Sequence, residues 1–317
     1  AKEGHLIDED KYRELADSRS LEEVTSILEE SDYSIPEEIN SKTLENTLDK
    51  ELIQTYQTLS NILPKNVRPI FEHLKREWDI KNLIVILKAK ESGTDPQPYL
   101  TEVGELTDLF KDIISSEEPS EPLKGTRYYQ AVRDYQVEED KKVSELETEL
   151  YEDYYTELKE KLEDNKDLKE YFGKQIDLKN ISFILRGKVS NMDKERIQNS
   201  VIRGGTLNQQ TLDEMIQAEN IDTAISVLEG TEYFESISDI TGQGIEKAET
   251  IERSLMNYNV KMGRDISIQQ PIGLGPTIGY ISRKKAEIKN LKAIITGVKN
   301  NLTSDKIKKF LVGMEAE

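Results

Sequence analysis

His5 and His73 are the side chains in this sequence best suited to move a proton near neutral pH. Neither has a second histidine four residues away, so the paired ligands of a zinc-protease helix are missing. Neither stands near a Gly-x-Ser-x-Gly turn that would seat a nucleophilic serine. Both read as isolated surface histidines. The chain has no cysteine, which removes disulfides and cysteine-based metal or redox chemistry. Phosphate chemistry needs a loop of free amides, and no Gly-x-x-x-x-Gly-Lys-Ser/Thr run is present. GLGPTIG, at Gly273 to Gly279, is the nearest approach. Pro276 withdraws an amide the phosphate would use, and no strand pattern precedes it. It reads as a turn before the last long helix. Carboxylates abound, so pairs on wet helix faces arise by chance and specify nothing. No catalytic, cofactor-binding or metal-ligating residue is assigned.

What does recur is a polar phrase inside apolar runs. KREWDIKNLIVILKAK, QIDLKNISFILRGK and AEIKNLKAIITGVK each place an acid three residues before an asparagine and end in lysine. The acids are Asp79, Asp177 and Glu287; the asparagines are Asn82, Asn180 and Asn290, spaced 98 and 110 residues apart. Around Asn82, Ile80, Leu83, Ile84 and Leu87 form one face, and Trp78, Val85 and Ile86 add apolar groups elsewhere. The helix is therefore covered on nearly all sides. A buried amide without partners costs about 1–3 kcal/mol. Such an asparagine either fixes helix register or binds a ligand, and the first reading is favoured.

A second phrase accompanies the first. Gly4 to Tyr33 lines up with Gly205 to Tyr233, with Leu6 on Leu207, Leu15 on Ile216, Leu28 on Leu228 and Tyr33 on Tyr233. GTRYYQAV at Gly125 matches GTEYFESI at Gly230, so Tyr128 and Tyr233 share a position, with Thr126 and Thr231 as expected N-caps. Self-similarity of this kind marks a repeat-built fold. No proline falls between Pro122 and Pro271, and Val132, Tyr135, Val143, Leu146, Leu150, Tyr154, Leu158 and Leu162 make a stripe. One long helix over that span is expected. Sustained alternation of the strand type is nearly absent, so the chain reads as all-α. Its 317 residues suit three units, near 1–100, 101–203 and 204–317.

With 62 acids against 43 bases, the net charge of −19 argues against a general nucleic-acid binder. No secretory signal pattern is found, and no apolar run is long enough to span a bilayer. One tract departs from this balance: Arg283 to Lys309 holds nine bases and two acids, a net +7. It can dock on an acidic surface, either within the chain or on another protein. Lys284, Lys285, Ile272 and Tyr280 are the candidate partner contacts.

PTIGYISRKKAEIKNLKAIITGVKNNL, at Pro276 to Leu302, resembles a signature of the C subunit of archaeal-type rotary ATPases, known as the d subunit in vacuolar ATPases. FEHLKREWDIKNLIVILKAK and IDLKNISFILRGK are similar to that family's Trp-Asp-x-x-Asn-Leu and Ile-Asp-x-x-Asn-Ile helices. The resemblance implies three similar helical domains around a pseudo-threefold axis, forming a funnel. It implies a non-catalytic central-stalk connector, one copy per complex, peripheral on the cytoplasmic side of the cell membrane. The implied partners are the proteolipid (c) ring below and the rotor shaft subunits D and F above. It also implies a further helix ahead of Gly4, so the first unit is expected to be truncated. A helical-repeat scaffold unrelated to ATPases is the alternative. Lacking a phosphate loop, the purified chain is expected neither to bind nor to hydrolyse ATP. Calorimetry checks this: saturable nucleotide binding at micromolar concentration overturns it.

Overall fold

A computed structural model describes residues 6–31, 33–238, 240 and 244–313, which hold fifteen α-helices and no β-strand. His5 lies outside the described residues. In chain order the helices are α1 (Glu9–Asp17), α2 (Leu21–Glu30), α3 (Ser41–Ile62), α4 (Arg68–Ser92) and α5 (Phe110–Ser115). They continue with α6 (Tyr129–Val137), α7 (Val143–Lys161), α8 (Lys166–Val189), α9 (Lys194–Gln198) and α10 (Gln209–Gln217). The last are α11 (Ile221–Ser226), α12 (Phe234–Ile237), α13 (Gly244–Gln269), α14 (Gly275–Lys299) and α15 (Ser304–Lys308). The chain gathers into two compact units, one of residues 1–61 with 228–317 and the other of residues 62–227. The boundaries expected at 100 and 203 both fall within the second unit.

In the first unit α13 lies along α14, and small residues set the distance. A Cβ on Gly263 would stand 2.8 Å from the Ser282 Cβ, and one on Gly279 would stand 2.6 Å from the Gly263 carbonyl oxygen. Gly273 turns the chain between the two helices at φ +98°, and Pro276 sits in the first turn of α14. GLGPTIG is thus a turn and a packing surface. In the second unit α4 packs on α7, while α8 packs on α9, α10 and α11.

The short helix pairs repeat in detail. Asp8 accepts from the Lys11 amide at the start of α1, and Asn208 accepts from Thr211 at the start of α10. Ser20 and Asn220 cap α2 and α11 in the same way. These caps set the pairing of α1 with α10 so that Leu15 matches Met215, not Ile216; both are fully buried.

Two expectations fail here. The single helix over 132–162 is two, because Glu138 turns extended (φ −88°, ψ 102°). Within the charged run EEDKK, no apolar residue holds helical backbone against a core. The Glu145 carboxylate then accepts from the Lys142 amide and restarts the chain as α7. Thr126 and Thr231 close the preceding turn: their hydroxyls donate to Leu123 O and Leu228 O, at 2.7 Å each. Thr126 Oγ1 also accepts from the Tyr128 amide, but no threonine caps α6 or α12.

His73 is not on the surface; it is 4% exposed. Its ring stacks on Tyr154, 4.9 Å between centroids. The Tyr154 carbonyl can only accept, so His73 Nε2–H donates to it across 2.9 Å. The Arg76 guanidinium can only donate, so Nδ1 accepts from it, also at 2.9 Å. Acceptance from Arg76 requires the neutral ring, and burial lowers its pKa to about 4. The unfolded chain therefore takes up this proton first. Stability is lost as pH falls from about 6.5 toward 4, by on the order of 2 kcal/mol from this residue. Urea denaturation of wild type and His73→Gln at pH 7 and pH 4.5 checks this: the gap between the two proteins should narrow or invert at the lower pH.

Candidate functional site

The repeated acid and asparagine lie one helical turn apart on the same face of α4, α8 and α14. All three asparagines are buried, and each binds one residue further along the chain through both of its amide atoms. Asn82 Nδ2 donates to Thr101 O (2.8 Å) while Oδ1 accepts from Thr101 N (3.0 Å). Asn180 does the same with Ile202 (2.8 and 2.9 Å), and Asn290 with Val312 (2.8 and 2.7 Å). The side-chain amide thus acts as a one-residue β-bridge and leaves no donor or acceptor of that peptide unpaired. The geometry is the same in all three places.

The acids anchor a second segment. Asp79 accepts from the amides of Glu105 (3.0 Å) and Leu106 (2.9 Å). Asp177 accepts from Thr206 (2.8 Å) and Leu207 (3.1 Å), and Glu287 accepts from Ile7 (2.6 Å). Backbone reaches Asp79 and Asp177 this closely only beside glycine: a Cβ on Gly104 or Gly205 would collide with the carboxylate it faces. The tyrosines return to the same acids. Tyr128 donates to Asp79 Oδ2 at 3.2 Å, and Tyr33 donates to Glu287 Oε1. Tyr233 is buried as well, with its ring 5.4 Å from that of Tyr258. Burial raises the Asp79 pKa and those of the Tyr33 and Tyr128 hydroxyls, which keeps the two phenols protonated as donors.

Two further residue types complete the pattern. Seven residues past the asparagine stands Ala89, Gly187 or Gly297. A Cβ on Gly187 or Gly297 would meet Ile197 Cδ1 at 2.8 Å or Ile307 Cγ1 at 2.6 Å. The lysine one position later in two copies then caps a neighbouring helix. Lys90 Nζ donates to Ile114 O and Ser116 O, 2.7 Å each; Lys188 Nζ donates to Ile216 O and Ala218 O, 3.0 and 2.6 Å. Three residues before the acid stands a base, Arg76, Lys174 or Lys284. The common spacing of base, acid and asparagine is visible in the sequence itself.

Part of the basic tract turns inward, while Lys299, Lys306 and Lys309 stay exposed. Lys284 is 3% exposed, which corrects its expected place at a partner surface. Its ammonium lies 2.7 Å from Glu287 Oε1 and 2.9 Å from the Tyr33 hydroxyl, and stands 4.6 Å over the Tyr33 ring. Lys292 pairs with Asp49 at 2.6 Å, and Lys308 with Asp17 at 2.9 Å. Of the two docking sites open to this tract, the chain's own N-terminal segment is one it meets. Tyr280 is buried too, and Lys285 is half-buried; only Ile272, 89% exposed, stands clear of the unit.

No trio of His, Cys, Asp or Glu among the described residues is grouped to hold a metal ion. A recess of about 740 Å³ in the second unit presents Glu138, Asp140, Glu145, Glu149 and Glu152. Its Lys141 is paired with Glu149 at 2.7 Å, so the recess repels phosphate rather than cradling it. No described helix is long and apolar enough to cross a membrane.

Gly205→Ala should lower stability by roughly 2 kcal/mol or more, because Asp177 must then leave its amides. Asn180→Leu should cost about the same by stranding the Ile202 peptide. Thermal unfolding with far-UV circular dichroism checks both: the midpoint should fall while helix content at 20 °C holds.

The pattern of the family described as ATP synthase (C/AC39) subunit matches residues 1–310. The C subunit of the A-type ATP synthase of Pyrococcus abyssi is 30% identical over 98% of this chain and 87% of its own length. That of Methanosphaera stadtmanae is 32% identical over 98% and 85%, and that of Thermococcus kodakarensis 29% over 98% and 87%. Matched over nearly its whole length, with the acid and asparagine in equivalent settings on three helices, the chain belongs to the ATP synthase (C/AC39) subunit family.

Proposed function

We propose that this protein is a non-catalytic connector in the central stalk of an A-type or V-type rotary ATPase. It joins the rotor shaft, built of the D and F subunits, to the proteolipid ring, so that ion flow and ATP synthesis or hydrolysis are coupled. One copy sits on the cytoplasmic face of the membrane, held there by the ring. Three similar helical domains, near 1–100, 101–203 and 204–317, surround a pseudo-threefold axis and form the funnel that receives the shaft.

The observation that carries this reading is the recurrence of one polar clamp on α4, α8 and α14 in a chain of this family. Apolar packing alone leaves helices free to shift by small slides. Buried, directional hydrogen bonds of a charged group with backbone amides hold a register. A part that transmits torque needs that rigidity. Ile272 is the candidate surface contact that remains exposed for a partner.

Reconstitution tests the proposal. Detergent-solubilised proteolipid ring, the D and F subunits and the purified chain should elute together with one copy of the chain. Leaving the chain out should preserve ATP hydrolysis by the catalytic head and abolish ion pumping. Elution of the chain apart from both ring and shaft, or pumping at full rate without it, overturns the proposal.

A further inference from the structure

The three acid clamps differ in what the clamped segment is tied to. Asp79 and Asp177 hold segments that follow them by 26 to 30 residues, so the chain itself keeps each segment near its seat. Glu287 holds Ile7, 280 residues away in sequence. The helix pair α1–α2 therefore sits on α14 and α15 with no short covalent tether on the acid's side, whereas its counterpart α10–α11 follows α8 and α9 directly.

Alongside the buried Leu15, Val24 and Leu28, ionic and hydrogen-bonded contacts seat α1–α2. The acceptor oxygens of Glu287 take the Ile7 amide, the Tyr33 hydroxyl and Lys284. At the other end of α1, Asp17 receives Ser304 and Lys308 of α15. The Lys308–Asp17 pair is partly exposed, with side chains 31% and 59% accessible, so salt screens it. Lys284 and Glu287, with side chains 4% and 2% accessible, both stand on α14, so the latch proper is the pair of donors that Glu287 takes from the α1–α2 segment, the Ile7 amide and the Tyr33 hydroxyl, in a setting shielded from salt. Withdrawing those donors leaves a buried carboxylate short of hydrogen bonds, so the latch is either whole or open.

We infer that the segment carrying α1 and α2 is a latched strap, which leaves and regains its seat on α14 and α15 as one body while the rest of the protein stays folded. Opening frees Lys308 from Asp17, while Lys284 keeps Glu287 on its own helix. Subglobal openings of this kind follow the boundaries of cooperative units, and the ionic seam draws one here.

Hydrogen exchange of the full chain, read by mass spectrometry at 0.05 and 0.5 M salt, tests the inference. In the wild type, peptides from α1 and α2 should share one opening rate, at least tenfold faster than α14 and faster than α10–α11. Glu287→Gln should raise that rate at least tenfold more, with α4 and α8 unchanged. Asp177→Asn should loosen α10–α11 and leave α1–α2 as it was. If Glu287→Gln does not fold, Lys308→Ala and the salt series carry the same expectation with a smaller increase. Protection of α1–α2 equal to that of α14 at both salts overturns the strap. So does separate exchange of α1 and α2, or joint loosening of α14 with them.

Discussion

A carboxylate removed from water must have its hydration replaced by donors, and this fold is arranged around doing that. Asp79 and Asp177 are fully buried, and Glu287 nearly so. Each takes backbone amides from an incoming segment, and two take a tyrosine hydroxyl that closes the same segment's far end. Lost solvation of an ionised carboxylate costs several kcal/mol, so the segment cannot drift without stranding the charge. The asparagine one turn later fixes a second stretch, and the small residue two turns beyond that lets a short helix close the end. On α4 and α8 one helix thereby holds two stretches of the chain that follow it.

The helix-level part of this is legible because it is periodic. Apolar spacing reveals α4, α8 and α14, and a polar residue within such runs must be satisfied, so Asn82, Asn180 and Asn290 announce themselves. Their partners do not. Thr101, Ile202 and Val312 contribute only peptide groups, which every residue carries, so no side-chain pattern marks them. Gly104 and Gly205 stand before the segments the acids hold, yet a glycine beside an acid 25 or more residues away looks like any loop glycine. The break between α6 and α7 is hidden for the opposite reason. The stripe of Val132 to Leu162 continues in phase across it, and only the lack of an apolar anchor within EEDKK betrays the gap.

Charge misleads at one point and guides well at another. His73 lacks histidine or serine neighbours in sequence, which suggests a surface residue. Its partners are a carbonyl on α7 and Arg76, one turn away on its own helix, and the latter is open to inspection. The base-acid-asparagine spacing likewise places Lys284 one turn from Glu287, with which it pairs in the interior, whereas Arg76 is buried against Glu157 and His73. The basic tract does raise the question of an acidic surface within the chain. Asp17 and Asp49 supply it for Lys308 and Lys292.

For a connector of the kind proposed, the contrast between the two parts of the charge inventory matters. Torque loads an interface in shear. Apolar contacts resist separation but yield to sliding, because one packed position resembles the next. A carboxylate that receives two consecutive amides is held from both at once, so a slide that keeps one bond breaks the other. Such a clamp stands on α4 and α8, and on α14 Glu287 takes one amide and a tyrosine hydroxyl; in the proposed connector these add stiffness against twist without a larger core. The acidic excess, meanwhile, stays outside. In the second unit it lines the recess beside α7, where like charges repel acidic neighbours and keep the wall wet. The polar groups that hold the protein together and those that keep it apart from its surroundings are thus different residues, separated by burial.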